Sequence, residues 1–566
     1  MKITINQKYY GLIVLFVLLA VNWLTNYSGL AGFGLYEDDY WYVANSLNHS
    51  THDLLSFVGD ITTDFERGEG RIIGKSLPLI LIHLIYNVAG LKALFFVGFL
   101  LVTLNSFIIF SLLKRNYNIL LGLITAVLFL AFPADTTRPF ITHIYQLQLS
   151  MFFVLVGFLF LEKRRYVFSY LFALFSLLTY ENAFLVFLFA PLIVFPKWNR
   201  ELYRKAFGHL VICMVLILGI FIMRKLGGEG RVASLSMVDF AKKTLAASFI
   251  GPVTVMYSFI VSPIHSLLAF FNNAITIILG SIGLFFVFVF FYTGFIEQDS
   301  ARFQFKHKYF QYEIEINENI NLFLRLFLVS ALMLLTSYLF SYTHYPPTML
   351  EGRMTSVHFA ASIGGPLFVA NMLYLVLFLV KKNKAVLVVI AVFLALLMGY
   401  GNLIQKDYRN AWNYQQDFWR DATALVADVK DNTVILIADK DLDSTSFIIT
   451  HSWAMPLVLS ESYKFPDTWK HPPKVKRFNS FSDLKYDPMV NRFFFIADYP
   501  FMFEQRDTVY LEDMNTIYLK KDTEKLSRSY DSLVINNHTL HLKPSGNNVL
   551  DTLRLRKTGQ IVFGEK

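Results

Sequence analysis

Through the first 404 residues of this chain, apolar runs of bilayer-crossing length recur, separated by short clusters of lysine and arginine. Crossing about 30 Å of hydrocarbon takes roughly 20 helical residues, and without water to satisfy the backbone only helices or closed barrels can do it. Runs of this length dictate an α-helical polytopic membrane protein. Composition agrees: 55% of the 566 residues are hydrophobic and 16% charged, with a mean hydropathy of +0.46, outside the range of soluble domains. The formal charge of +9 would suit a nucleic-acid surface if it lay on one face. Here the positives fall between apolar runs, so they report topology, and no nucleic-acid partner is expected.

About eleven spans are expected: Tyr9 to Leu30, Lys92 to Leu113, Ile119 to Phe132, His143 to Leu161, Tyr166 to Leu178, Ala183 to Phe195, Ala206 to Met223, His265 to Phe295, Asn321 to Tyr342, Ser356 to Val380 and Ala385 to Ile404. A short apolar stretch, Ser76 to Gly90, precedes the second. The clusters Lys163 to Arg165, Lys197 to Lys205, Lys306 with Lys308, and Lys381 to Lys384 all fall on one side, which the positive-inside rule makes cytoplasmic. Lys2 and Lys8 precede the first apolar run without a small-residue cleavage site after it, so that run reads as a retained span with the N-terminus inside. The outer side then receives the loop 31–75, Pro133 to Thr142, Tyr180 to Asn182, Arg224 to Ile264, Thr343 to Thr355, and everything after Gln405.

From residue 405 to 566 polar residues become common and apolar runs shorten to strand length, which predicts a soluble extracytoplasmic α/β domain following a membrane domain over 1–404. Strands are expected at Val434 to Ala438, Phe493 to Ala497, Thr508 to Leu511 and Thr516 to Leu519, a hairpin at 533–542, and a helix at Phe418 to Val429. The only cysteine, Cys213, lies in an apolar run, so no intramolecular disulfide can form. Asp439 to Asp443 alternates carboxylates like a calcium loop, but Ser444 and Thr450 stand where Gly and Glu are needed. No zinc spacing or glycine-rich phosphate loop occurs, which disfavours a nucleotide-sugar or ATP site.

The segment richest in chemistry follows the first span directly: Gly34-Leu35-Tyr36-Glu37-Asp38-Asp39-Tyr40-Trp41-Tyr42. Three adjacent carboxylates beside hydrocarbon repel one another and need a polar cleft or a cationic partner. Repulsion and partial burial would raise at least one pKa, which suits a group that accepts a proton from a hydroxyl. The plainer alternative is a solvated acidic cap on a helix dipole.

A second stretch, Gly70-Arg71-Ile72-Ile73-Gly74-Lys75-Ser76-Leu77-Pro78, runs into an apolar helix and Gly90-Leu91; Tyr180-Glu181-Asn182 tops a short hairpin; and a late loop holds Tyr345-Pro346-Pro347 and Glu351-Gly352-Arg353. In order and side these segments resemble the GT-C membrane glycosyltransferases, a group that includes protein O-mannosyltransferases, aminoarabinose transferases acting on lipid A, and O-antigen glucosyltransferases. In those families an acidic pair in the first outer loop opens a juxtamembrane helix. The resemblance spans residues 1 to 410 as architecture. It implies transfer of a sugar from a polyprenyl-phosphate donor to a glycan, lipid or protein acceptor, on the outer face of a bacterial inner membrane. It implies Asp38 as the base, and Asp39 as the group that orients the acceptor or holds a divalent cation, Mg or Mn, if one is needed; no cofactor is demanded. Glu37, Glu181 and Tyr345 fall to substrate binding.

Residue chemistry adds the cations. Arg71, Lys75, Arg138 and Arg353 all lie on the expected outer side, and guanidinium forks suit phosphate oxygens, which favours Arg138 and Arg353 over Lys75. Each could instead be an interfacial charge reaching for headgroups. His143, Tyr145 and Gln146 would extend a polar pocket or simply meet membrane lipids at a helix start. The segment 224–264, with Phe240, Leu245 and Phe249 at helical spacing, fits an interfacial amphipathic helix or, equally, a helix packed against the soluble domain. Three rivals stay open: a transporter or flippase of lipid-linked sugars, which should place ionisable groups near the midplane, an O-antigen polymerase or ligase, whose decisive residues would sit in a large late loop, and a non-catalytic scaffold that works through its exported domain.

Overall fold

The computed structural model describes residues 7–563 apart from 65–68, 196–197, 230–236, 274–309, 341–346, 349, 351, 381–383, 439–454, 478–483, 488–491, 496–508, 511–514, 523–524, 530–532, 536–537, 541, 543–548 and 551–552. The elements in chain order are α1 (Gln7–Asn22), α2 (Asp38–Leu47), α3 (Thr51–Thr63), α4 (Ile72–Asn116), α5 (Ile119–Leu130), α6 (Ile141–Glu162), α7 (Tyr166–Thr179), α8 (Glu181–Val194), α9 (Arg200–Leu226), α10 (Met237–Asn273), α11 (Phe310–Thr336), α12 (Ala361–Leu379) and α13 (Lys384–Leu425). The carboxyl-terminal part then adds β1 (Thr433–Ala438), α14 (Met455–Ser462), β2 (Lys474–Arg477), β3 (Leu484–Asp487), β4 (Arg492–Phe495), β5 (Val509–Tyr510), β6 (Asn515–Asp522), β7 (Lys525–Ser529), β8 (Leu533–Ile535), β9 (His538–Leu540) and α15 (Lys557–Phe563).

Among the described residues seven helical stretches are long and apolar enough to cross a membrane: Gly11–Gly32, Ile72–Asn116, Ile141–Glu162, Arg200–Leu226, Phe240–Phe270, Ala361–Leu379 and Ala385–Leu425. Four shorter apolar helices, Ile119–Leu130, Tyr166–Thr179, Glu181–Val194 and Asn321–Thr336, accompany them. The molecule is a mainly helical membrane protein with a small carboxyl-terminal sheet. α4 bends at Gly90, whose φ of 73° and ψ of −171° leave the helical region, so the short apolar stretch and the full span expected from the sequence are two limbs of one element. Glycine is what makes the bend inexpensive.

Two helices run further than the sequence suggests. α10 extends for 37 residues, past Ile264, and Leu245, Phe249, Val253, Tyr257, Ile260, Ile264 and Leu268 stay exposed along it. Such a stripe of large side chains continues beyond Ile264 and fits lipid contact along a crossing helix. The rest of the span expected to end at Phe295 lies outside the described residues. Residue 405, where the hydropathy changes, lies inside a helix. α13 is continuous for 42 residues, because no glycine or proline interrupts it after Gly401, and its last turns bury Tyr408, Trp412 and Trp419.

The larger sheet has the order β2-β1-β6-β7, with β1 parallel to β2 and β6, and β6 antiparallel to β7. β1, buried from Thr433 to Ile437, is the apolar run that reads as a central strand. β3, β4 and β5 form an antiparallel sheet, and β8 and β9 a hairpin. β2, β3 and β7 were not expected from the sequence; Lys474-Val475-Lys476-Arg477 carries too little apolar surface to look like a strand until a partner supplies its ladder.

Polar groups bind the helices inside the apolar interior. Asn22 Nδ2 donates to Phe99 O and Thr103 Oγ1, both at 2.9 Å, and Asn26 Nδ2 donates to Asn22 Oδ1 and Leu130 O, also at 2.9 Å. Such bonds contribute about 0.6 to 2 kcal/mol each between membrane helices. The loop after α1 is braced by α13: Gly29 N donates to Gln405 Oε1 at 2.8 Å, the Tyr36 hydroxyl to Tyr408 O at 2.8 Å, and the Tyr40 hydroxyl to Gln415 Oε1 at 2.8 Å. Gly34 lets the Trp412 ring lie flush against this loop, since a Cβ there would fall 1.8 Å from Trp412 Cδ2. Gly34→Ala should therefore cost about 1 to 3 kcal/mol, the usual penalty of overpacking. Thermal unfolding of the purified protein should show the loss, and the Gly34→Ala/Trp412→Ala pair should lose less than the sum of the singles; additive losses would refute the contact.

Candidate functional site

α2 opens with Asp38 and Asp39, two carboxylates in the first turn, where the helix dipole favours them. Their fates diverge. Asp39 is fully buried. Its Oδ1 accepts from Thr142 N at 2.8 Å and from the Thr142 hydroxyl; its Oδ2 accepts from Ile141 N at 3.1 Å and Tyr36 N at 3.2 Å. It caps the start of α6 from another part of the chain. Burial pushes the Asp39 carboxyl up to about 7, against the hydrogen bonds from Thr142, Tyr36 and Ile141 that hold it down. With four donors on two oxygens, Asp39 has no lone pair left for an acceptor or a metal ion.

Asp38 turns the other way. Its Oδ2 accepts from Arg353 Nη2 at 3.2 Å, across 315 residues of chain, and its side chain keeps 23% of its surface accessible. The same guanidinium places Nε 3.2 Å from Glu37 Oε2 and donates from Nη1 to Ser356 Oγ at 2.8 Å. Arg353 is aimed by its loop: Gly352, at φ 83°, donates to Thr136 Oγ1 at 3.1 Å, and Thr136 N donates to Thr355 Oγ1 at 3.0 Å. Glu37 sits in a backbone conformation rare for a side chain, φ 45°, and burial pushes its carboxyl up to about 8 in spite of Arg353. The Arg353 pKa is driven up by Asp38 and Glu37, which outweigh the opposing effect of its burial.

A second ionic set adjoins the first. Arg71 meets Glu181 with two bonds, Nε to Oε2 at 3.0 Å and Nη2 to Oε1 at 2.9 Å, and its guanidinium lies 4.4 Å over the Tyr180 ring. Glu69 bridges Arg71 Nη1 at 3.0 Å and Lys75 Nζ at 3.2 Å. Arg224, at the end of α9, reaches Glu181 at 3.3 Å and Glu229 at 3.6 Å. The sets are neighbours: Tyr42 feels Lys75, Glu69 and Asp38 together. Gly74 permits this closeness, for a Cβ there would lie 2.0 Å from Thr179 O.

Other expected residues lie elsewhere or serve differently. Arg138 is buried and donates to the carbonyls of Phe129 and Leu130, so it caps the end of α5; burial lowers its pKa. His143 Nδ1 pairs with Thr137 Oγ1 at 2.6 Å and its ring packs on Phe140. The Tyr145 hydroxyl donates to Leu94 O at 2.9 Å, and Gln146 Nε2 donates to Gly74 O at 2.6 Å and to the Tyr42 hydroxyl. All three are buried; Tyr145 and Gln146 join α6 to other helices, and His143 fastens the loop before α6. Tyr345 lies outside the described residues. Glu69 and Arg224 were not expected at the site from the sequence; the one hint was that they flank the apolar runs of α4 and α9.

Compared with known proteins, the chain matches no family model and no curated sequence. Among the described residues no group of three or more His, Cys, Asp or Glu side chains is arranged to hold a metal ion. What the arrangement offers is an accessible carboxylate held by one guanidinium and flanked by a second cationic set.

Two outcomes follow. Asp39→Asn puts an amide donor among four donors and should lower stability by about 2 to 4 kcal/mol, because an unsatisfied buried group carries its full desolvation cost, whereas Asp38→Asn should fold nearly as well as the parent; equal melting temperatures for the two would contradict the cap. For Glu37 the folded-state pKa, about 8, exceeds the ordinary 4.5, so the folded protein holds the proton more tightly. Its contribution to stability is full below pH 4.5 and declines as pH rises through about 8. Glu37→Gln should flatten that part of a stability profile.

Proposed function

We propose that this chain is a glycosyltransferase of the GT-C type. It moves a sugar from a polyprenyl-phosphate donor to a glycan, lipid or protein acceptor at the outer face of a bacterial inner membrane. In this reading the seven long and four short helices make eleven crossings, the N-terminus is cytoplasmic, and α2 and the carboxyl-terminal sheet are exported. The observation that carries the reading is the meeting of Asp38 with Arg353 at 3.2 Å, beside Arg71 and Lys75. A base next to cations is what inverting transfer from a phosphate requires. The clustering of these charges at helix ends, with Arg71 before α4, Glu181 opening α8 and Arg224 closing α9, favours a surface enzyme over a transporter with midplane charges.

In the step itself, Asp38 takes the proton of the acceptor hydroxyl as that oxygen bonds to the sugar's anomeric carbon. The bond from that carbon to the phosphate oxygen breaks on the opposite face, the electron pair leaves with polyprenyl phosphate, and the configuration inverts. Arg353, with a side chain 31% accessible, is the cation best placed to meet developing charge beside Asp38. Asp39 positions α2 against α6. If the reaction uses Mg or Mn, its ligands are other than Asp39.

The test is turnover by reconstituted protein supplied with polyprenyl-phosphate sugars and candidate acceptors. Asp38→Asn should bind donor as the parent does and lose about 100-fold or more in rate, the usual worth of a general base. Turnover equal to the parent would remove Asp38 from the mechanism.

A further inference from the structure

Glu69 holds two cations that an anionic ligand at this place would need. Each of its carboxylate oxygens takes one: Oε2 on Arg71 Nη1 at 3.0 Å and Oε1 on Lys75 Nζ at 3.2 Å. Two oxygens of one phosphate would bridge a guanidinium and an ammonium in the same way. We infer that Arg71 and Lys75 form a phosphate seat, that Glu69 occupies it in the resting protein, and that ligand binding displaces Glu69; the identity of the ligand as a lipid-linked phosphate rests on the transferase reading.

Both cations are braced without Glu69. Arg71 keeps its fork on Glu181 through Nε and Nη2 and its stacking on Tyr180, which leaves Nη1 turned toward Lys75. Lys75 Nζ lies 5.1 Å over the Trp41 ring and within reach of Tyr42, two side chains of α2. Glu69 itself stands on backbone poorly suited to it: its φ is 52° and that of Gly70 is 62°, so two successive residues are left-handed and only the second is glycine. Gly70 is pressed against Arg224, where a Cβ would lie 2.5 Å from Cγ, and this delivers the Glu69 carboxylate to the seat. Removing Glu69 would leave the braced cations in place and relieve the strained residue.

Among the described contacts, Arg71, Lys75 and Arg224 are met by Glu69, Glu181 and Glu229, so an anion that takes the place of Glu69 keeps Arg71 and Lys75 matched.

The experiment measures binding rather than turnover, so its result stands apart from the transferase test. Full-length protein in nanodiscs is titrated with inorganic phosphate and with undecaprenyl phosphate, as the parent, Glu69→Gln, and Glu69→Gln/Lys75→Gln. If the seat is open less than a tenth of the time, Glu69→Gln tightens binding about tenfold or more, and the added Lys75→Gln abolishes the gain. Gain with both probes supports a seat for phosphate itself; gain with the lipid alone supports a seat for a lipid headgroup. No gain with either probe, or a gain that survives Lys75→Gln, overturns the proposal. Should Glu69→Gln fail to fold, Glu69→Asp, too short to hold both cations, is read the same way.

Discussion

The arrangement around α2 depends on a carboxylate that has no contact with water. Asp39 is taken out of solvent completely, a transfer that costs several kcal/mol unless every acceptor position is used. All four are used, by donors from Tyr36, Ile141 and Thr142. That requirement locks the start of α2 to the start of α6, and because consecutive helical side chains point about 100° apart, it turns Asp38 away from the core and toward Arg353. One aspartate is buried so that its neighbour can be presented.

Around Asp38 the second constraint is neutrality. In a cleft of low effective dielectric an unmatched charge is expensive, and Arg71, Lys75, Arg224 and Arg353 are each met by a carboxylate. These pairs connect the start of α4, the turn between α7 and α8, the end of α9 and the loop before α12, so the ionic lattice also fixes the mutual height of four elements. A ligand anion can enter such a lattice only by exchange. Glu69, on a strained loop and with partners that are held independently, is the member easiest to exchange.

Much of the fold was legible in the sequence. Span lengths and lysine clusters implied a many-helix membrane body, Gly90 marked the bend of α4, and the short apolar runs at 434–438, 493–497 and 516–519 overlap β1, β4 and β6. What escaped had a physical cause in each case. β2 and β7 are too polar to announce themselves, since a strand at a sheet margin takes its stability from a partner's ladder. α13 passes residue 405 without a break because hydropathy reports burial in lipid, while helix continuity depends on the absence of breakers. Arg138 and Tyr145 were expected at a pocket or an interface, yet each satisfies backbone carbonyls inside the protein.

By itself, then, the sequence determined that this chain is built largely of apolar helices suited to a membrane, and that carboxylates follow the first of them at a site where they need partners. These are properties of composition and order along the chain, set by the cost of charge and open backbone in hydrocarbon. Only the tertiary structure decided which partners they receive. The choice of Thr142 for Asp39 and of Arg353 for Asp38 depends on distances of about 3 Å between segments 103 and 315 residues apart. Nothing local encodes such distances; they arise when the helices pack and every buried charge must find its counterpart.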